Sequence, residues 1–554
     1  MPSEFFERNK ELLDKATEAI RTREYWSAFA EVPSGKIYGE TANDDGKKAF
    51  EARLHRPFAV DQPGTRGEVG SERSPFGMDL GVTYSKPDLD ELLHRVASAS
   101  EKWRATGPEA WVGVCLETLV RLNKRSFEIA YAVMHTSGQA FMMAFQAGGP
   151  HAQDRGLEAV AYAWSAMQHV PQSAMWEKPQ GKSEPLKMMK RYRIVPRGTA
   201  LVIGCCTFPT WNSYPGFFAS LATGNAVVVK PHPGAILPLA ITVEVAREVL
   251  KEAGFDPNVV TLVAHENGDE VAQTLALQPE IKIIDFTGSP QNGVWLEEHA
   301  KQAQVFTEKA GVNQIIIDST NDFKGMVRNI AFSLSLYSGQ MCTAPQNIYV
   351  PKSGIDTAEG HLSFDQVAQS IGEGVRKLLG DPARAVEILG AIQNDNIVQR
   401  VEKARSLGNV IVDSQQIDHP QFPEARVQTP LLLSTDAADE SKFMHELFGP
   451  IAFVVRTEDT AQSIDIARRG AIEHGALTMS VYSNNEDVLR EVENAAAEAG
   501  VALSSNLTDG VYVNQSAAYS DFHGTGSNPA ANASLTDTAF VASRFRVAQS
   551  RAHA

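Results

Sequence analysis

Between residues 199 and 311 apolar runs alternate with amphipathic ones: TALVIGCC, PGFFASLATG, NAVVVKP, LPLAITVEVAREVLKEAG, VVTLVAH, DEVAQTLAL, IKIIDFTGS and VWLEEHAKQ. Strand followed by helix, four times over, predicts a parallel, doubly wound α/β sheet. Such sheets bind ligands beyond the carboxyl ends of their strands, where helix N-termini point and strand order switches. A dinucleotide site is therefore expected after NAVVVK and after IIDFTG. A second α/β region is expected from about 312 to 505, opening on the strand-like NQIIIDS and a helix that ends near Gly339. Before the alternating region, Phe5, Phe6, Leu12, Leu13, Ala16 and Ile20 share one helical face, which predicts a helix packed on the body. The glycines and prolines between 60 and 85 predict extended loop, and residues 88–168 read as helices broken at Gly148 to Pro150. The last 40 residues read as a strand around VYVNQ followed by a tail.

The expected architecture is a doubly wound dinucleotide-binding domain, residues 1–170 and 194–305, beside a catalytic α/β domain, residues 306–508. Residues 171–193 and 509–554 form a small β bridging and oligomerisation element with a tail. A chain of 554 residues is too long for one core, so a cleft between domains is expected. The net charge of −16, with no long Lys/Arg run, excludes nucleic acid and anionic membrane as partners. Mean hydropathy of −0.22 is that of a packed soluble protein. No apolar stretch approaches the roughly 18 residues of a membrane helix, and residues 1–16 lack the apolar core of a secretory signal. Four cysteines, at 115, 205, 206 and 342, are too few for a disulfide framework and suit the cytoplasm. No metal-ligand set is assigned.

Cys342 lies in SLYSGQMCTAP, directly after the expected helix end, where a loop can expose it to a cleft. A lone cysteine is more often a small buried hydrophobe. As a thiolate, however, it could add to an aldehyde, prime the carbon for hydride loss and retain the product as a thioester. Hydrolysis of that thioester needs a carboxylate to activate water. Glu308 in TEKAGVNQ, beside Ala310 and Gly311 and just before an apolar strand, is the candidate. The oxyanion formed on attack needs a fixed amide donor, and Asn212 in FPTWNSYPG can supply one. Cys205 and Cys206 read as core strand residues. FTGSPQNG, carrying Gly288, Ser289 and Gly293, places a small turn at a helix start, where backbone N–H groups attract pyrophosphate. Lys230, closing NAVVVK, is a partner for ribose or phosphate.

NAVVVKP, FTGSPQNG, TEKAG, SGQMC, HELFGP and VYVN stand in the order and at the spacings of the defining motifs of the aldehyde dehydrogenase superfamily, which the chain resembles over roughly residues 90–530. The 34 positions between 308 and 342 match as well. The resemblance implies Cys342 as nucleophile, Glu308 as general base and Asn212 as oxyanion donor. It further implies that Lys230, Ser289, Glu446 and Phe448 touch the dinucleotide, Glu446 through the nicotinamide ribose, and that the chain forms a homodimer or homotetramer. Two departures stand out. The family's P-W-N-F-P is here Pro209-Thr210-Trp211-Asn212-Ser213-Tyr214-Pro215, and the glutamate that holds the adenine ribose in NAD-dependent members is replaced by Pro233. That replacement tilts the expected cofactor towards NADP, with NAD as the other choice. Residues 204–242 resemble the phenylacetic acid degradation proteins of the PaaN type, which implies a CoA-linked semialdehyde as substrate.

Three other readings compete. Acylating relatives, which pass the thioester to CoA, generally lack the carboxylate found at Glu308. A catalytically silent protein on the same fold would not need Cys342, Glu308 and Asn212 together. A cysteine hydrolase would need a histidine partner for Cys342, and the sequence assigns none.

Overall fold

The computed structural model describes residues 2–309 and 311–554. The N-terminal segment forms two helices, Pro2–Arg8 and Lys10–Thr22, which bury Phe5, Phe6, Leu13 and Ala16 against the helical layer behind them. They are hinged at Asn9, whose side chain donates to Phe5 O and to Glu117. Residues 60–85 are not loop throughout. Thr65–Val69 pairs antiparallel with Thr83–Pro87, and Pro57–Phe58 adds a third strand. Thr65–Val69 is exposed at all but its last position, so no apolar alternation marks it in the sequence. Five helices follow from Leu89, and the chain breaks at Gly149 before the last of them, α1 (Pro150–Gln168).

The first sheet contains β1 (Thr199–Ile203), β2 (Ala226–Lys230), β3 (Val260–Leu262), β4 (Ile281–Gly288) and β5 (Gln304–Lys309). Its order is β5-β4-β1-β2-β3, and every pairing is parallel. The chain steps outward from β1 to β3 and then returns to the other side of β1, so the strand order switches between β1 and β4, the position that opens a ligand crevice. The connections are α2 (Pro209–Ala222), α3 (Leu237–Glu252), the short helix Val271–Ala276 and α4 (Pro290–His299). β5 runs across the 305/306 division expected from the sequence and pairs with β4 along its whole length.

The second sheet contains β6 (Asn313–Ile317), β7 (Pro345–Pro351), β8 (Asn409–Val412), β9 (Leu431–Asp436), β10 (Ile451–Thr457), β11 (Thr478–Tyr482) and β12 (Ala502–Ser505). Its order is β8-β9-β10-β7-β6-β11-β12, antiparallel only at β8. The helix α5 (Phe323–Ser335) leads from β6 towards β7. A third, three-stranded antiparallel sheet sets Ser183–Pro196 between Ser173–Gln180 and Phe545–His553. The terminal strand therefore lies at 545–553, whereas VYVNQ at 511–515 is irregular loop. No helix among the described residues is long and apolar enough to cross a membrane.

Candidate active site

The carboxyl ends of β1, β4 and β5 deliver one wall of the site, and the α5–β7 connection delivers the other. After α5 the chain makes a tight turn in which Tyr337, Ser338 and Gly339 take φ values of 52°, 48° and 64°. Three successive left-handed residues are costly for L-amino acids, and the turn is held from outside. Ser338 Oγ lies 2.8 Å from Gln428 O and 3.1 Å from Leu389 O, and Tyr337 OH donates to Ser137 O. A Cβ on Gly339 would lie 2.4 Å from Gly449 O, so only glycine fits. Three residues on, Cys342 emerges half-buried against Leu477, Ala530 and Ala531. Its carbonyl is fixed by Asn313 Nδ2 at 2.8 Å.

Glu308 occupies the end of β5 and is only 2 % exposed; Ala310, next but one in the chain, lies outside the described residues. One carboxylate oxygen accepts from Asn212 Nδ2 at 3.0 Å, and the other lies 3.1 Å from His523 Nε2. The same Nε2 lies 3.9 Å from Cys342 Sγ. Thiol, carboxylate and imidazole thus gather within 4.8 Å of one another. The histidine that the sequence could not assign is present: His523, in the irregular segment before the last helix.

Asn212 stands in the first turn of α2 rather than in an open turn. Cys205 and Cys206 are not core strand residues, because β1 ends at Ile203 and both lie half-buried in the loop beyond it. Burial pushes their thiols up to about 11 and about 12. Cys205, a thiol at neutral pH, therefore donates to Asn212 Oδ1 across 3.7 Å, which turns the amide so that Nδ2 faces Glu308.

The charges follow from these contacts. Burial raises the Glu308 carboxyl, but the adjacent His523 and the hydrogen bonds from His523, Cys342 and Asn212 outweigh it, and the net shift is downward. Burial, and then the Glu308 carboxylate, push the Cys342 thiol well above its ordinary value. In this arrangement the sulfur rests as a thiol, and the carboxylate holds the Asn212 amide.

The residues expected to meet the dinucleotide stand at the ends of β2 and β4 and in the loop before β10. Lys230 closes β2 with 6 % exposure, its ammonium without a hydrogen-bond or ion-pair partner among the described residues; burial lowers it to about 8. Glu446 is similarly unpartnered, and burial raises it to about 7. A buried ammonium and a half-buried carboxylate fit a ligand that carries both phosphates and hydroxyls. Glu72 fills the N-terminus of α3, accepting from Ile236 N and from Leu237 N at 3.0 Å. The N-terminus of α4 is open instead: Ser289 caps it, Gly288 precedes it, and Gly293 packs on the Lys309 side chain. Phe448 lies in the loop beside Glu446, with its carbonyl held by Arg400.

A strap from the N-terminal segment braces this site. Trp26 meets Tyr519 edge-on at 4.8 Å, and the Arg23 guanidinium lies 3.9 Å above the Phe522 ring. Ser27 Oγ and Ala28 N donate to Asp154 of α1, as does Tyr519 OH, while Tyr519 N donates to Glu158. Arg155 holds Asp521 O and Ser516 and lies over Trp211, whose ring meets His523 edge-on at 4.7 Å.

Known proteins share this fold. The profile of the aldehyde dehydrogenase family matches residues 82–517. A crystal structure of an NAD-dependent aldehyde dehydrogenase from Burkholderia multivorans is 65% identical and superposes with a TM-score of 0.98 over 99% of each chain. The 4,4'-diapolycopene-4,4'-dial dehydrogenase of Cytobacillus firmus is 28% identical over 63% of this chain and 73% of its own. The 1-pyrroline-5-carboxylate dehydrogenase of Geobacillus kaustophilus is 23% identical over 81% of this chain and 84% of its own. With a profile match across most of its length and this fold beneath it, the chain belongs to the aldehyde dehydrogenase family, enzymes that oxidise aldehydes with a nicotinamide dinucleotide.

Proposed function

We propose that the chain oxidises an aldehyde to a carboxylic acid through a thioester on Cys342, with Glu308 as the base and Asn212 as the oxyanion donor. The observation that carries this is the convergence of thiol, carboxylate and amide at the strand ends. Cys342 Sγ bonds to the aldehyde carbon and its proton passes to Glu308, the nearest carboxylate. Asn212 Nδ2, released from Glu308 by that protonation, donates to the new oxyanion, an interaction of about 3–4 kcal/mol in comparable sites. The dinucleotide, held by Lys230, Ser289, Glu446 and Phe448, with Gly288 and Gly293 leaving room for its phosphates, supplies a hydride acceptor. Once that first proton has passed on to solvent, Glu308, again a carboxylate, takes a proton from water as the water oxygen attacks the thioester.

The likeness of residues 204–242 to the PaaN-type proteins supports a CoA-linked semialdehyde of aerobic phenylacetate catabolism as substrate. Pro233, with Lys230 nearby, supports use of NADP at least as well as NAD, whereas the name of the Burkholderia protein speaks for NAD. Four free cysteines suit the cytoplasm, and the exposed third sheet suits pairing into a homodimer or homotetramer. The test is dinucleotide reduction measured against a panel of aldehydes and CoA-linked semialdehydes with both cofactors, for wild type and Cys342→Ala. Wild type is expected to release acid, and the variant to bind dinucleotide within a few fold of wild type without turning over. Turnover by Cys342→Ala overturns the reading.

A further inference from the structure

We propose that His523 is a catalytic residue of the hydrolytic half-reaction, passing a proton between Glu308 and the Cys342 sulfur through Nε2. The proposal rests on the thioester reading above. A single ring nitrogen reaches both groups, lying 3.1 Å from Glu308 Oε1 and 3.9 Å from Cys342 Sγ. One N–H cannot serve two acceptors at once, so the geometry is that of a relay with two positions. His523 is 4 % exposed and Glu308 2 %, which leaves bulk water little access to either. The proton that Glu308 takes from water is the one the leaving sulfur needs, and the imidazole is the group in contact with both.

The step balances. The water oxygen bonds to the acyl carbon and gives one proton to Glu308. As the C–S bond breaks, its electron pair stays on sulfur, which takes the Nε2 proton of His523, present as the imidazolium paired with Glu308, and leaves the neutral ring. Glu308 then returns its proton to Nε2. Water and thioester go in, acid and thiol come out, and both side chains regain their starting forms.

The placement of His523 is built rather than incidental. Leu535 N donates to its carbonyl at 2.9 Å, joining it to the segment that runs along β5, where Lys309 N donates to Ala530 O at 2.6 Å and Asn532 N to Thr307 O at 3.1 Å. Trp211 packs against the ring, and the strap holds Tyr519 and Phe522 just before it. The family profile ends at residue 517, so this imidazole belongs to the part of the chain outside that match.

The experiment uses p-nitrophenyl acetate, which acylates Cys342 without dinucleotide and reports acylation as a burst and deacylation as the steady state. His523→Gln keeps an N–H donor for Glu308 but cannot relay a proton; His523→Ala removes both. Both variants should keep the burst while their steady state falls roughly 10²-fold, with acetyl-enzyme accumulating by mass spectrometry. Thermal unfolding and dinucleotide binding check the fold, and His523→Gln carries the test if His523→Ala does not fold. Deacylation by His523→Gln at the wild-type rate overturns the relay, because a donor alone would then suffice. A wild type without a burst, or an unchanged burst in Cys342→Ala, overturns the thioester reading instead.

Discussion

A thiol that rests protonated beside a carboxylate is quiet until that neighbour changes. The Glu308 charge adds to burial in raising Cys342, so Glu308→Gln should let the thiolate form at lower pH. Iodoacetamide labelling of Cys342, followed by peptide mass spectrometry at pH 7.5, should run several-fold faster in that variant; an unchanged rate would show that burial alone governs the sulfur. Lys230 gives a second test. Burial lowers it to about 8, so it is charged at pH 7 and largely neutral at pH 9. Affinity for NADP should therefore weaken more than affinity for NAD between those values, and Pro233→Glu should move kcat/KM towards NAD by about tenfold to a hundredfold. Equal pH dependence for both dinucleotides would place the 2′-phosphate away from Lys230. Cys342, Glu308 and Asn212 could be nominated from the sequence because each stands in a short string that resembles a family motif. His523 was not: it is 181 positions from the sulfur it faces, and only Gly524 and Gly526 after it hint at a loop able to bring a side chain in.

The turn before Cys342 also touches the loop that we propose holds the dinucleotide, at Gly449. An alanine at Gly339 would adopt φ near 64° at about 1–2 kcal/mol, and its Cβ would push on Gly449, the residue after Phe448. Gly339→Ala is expected to lower the unfolding temperature and weaken dinucleotide binding together; a stability loss with intact cofactor affinity would show that the two loops move independently. The strands of the first sheet were readable as elements because burial on both faces makes them continuous apolar runs. VYVNQ misleads for the opposite reason. Val513 and Asn514 are buried, but side chains satisfy this backbone in place of a strand ladder: Thr343 Oγ1 donates to Asn514 O at 2.8 Å, and Asn329 Nδ2 donates to Val511 O at 2.6 Å.

At the scale of the molecule, the helical layer, the strap and the segment around Tyr519 meet at Asp154 and Glu158. Burial raises Asp154 to about 7 despite its hydrogen bonds to Ser27, Ala28 and Tyr519. A folded-state value above the unfolded one gives stability that is present below about pH 4 and lost as pH rises towards 7. Asp154→Asn, which cannot titrate, should have an unfolding temperature that changes less than that of wild type between pH 4 and 7; parallel curves would remove Asp154 from the pH response. Sequence periodicity showed that the N-terminal helices pack on the body, yet it could not show what the residues after them hold. The strap joins very distant parts of the chain: Ser520 bonds to Glu24 O, 496 positions away. Contacts closing so long a loop form late, after locally connected βα units have paired. A chain refolding from denaturant should therefore recover its grip on the dinucleotide before it recovers turnover, and for that interval it would be a cofactor-binding protein whose acid–base machinery is still unassembled.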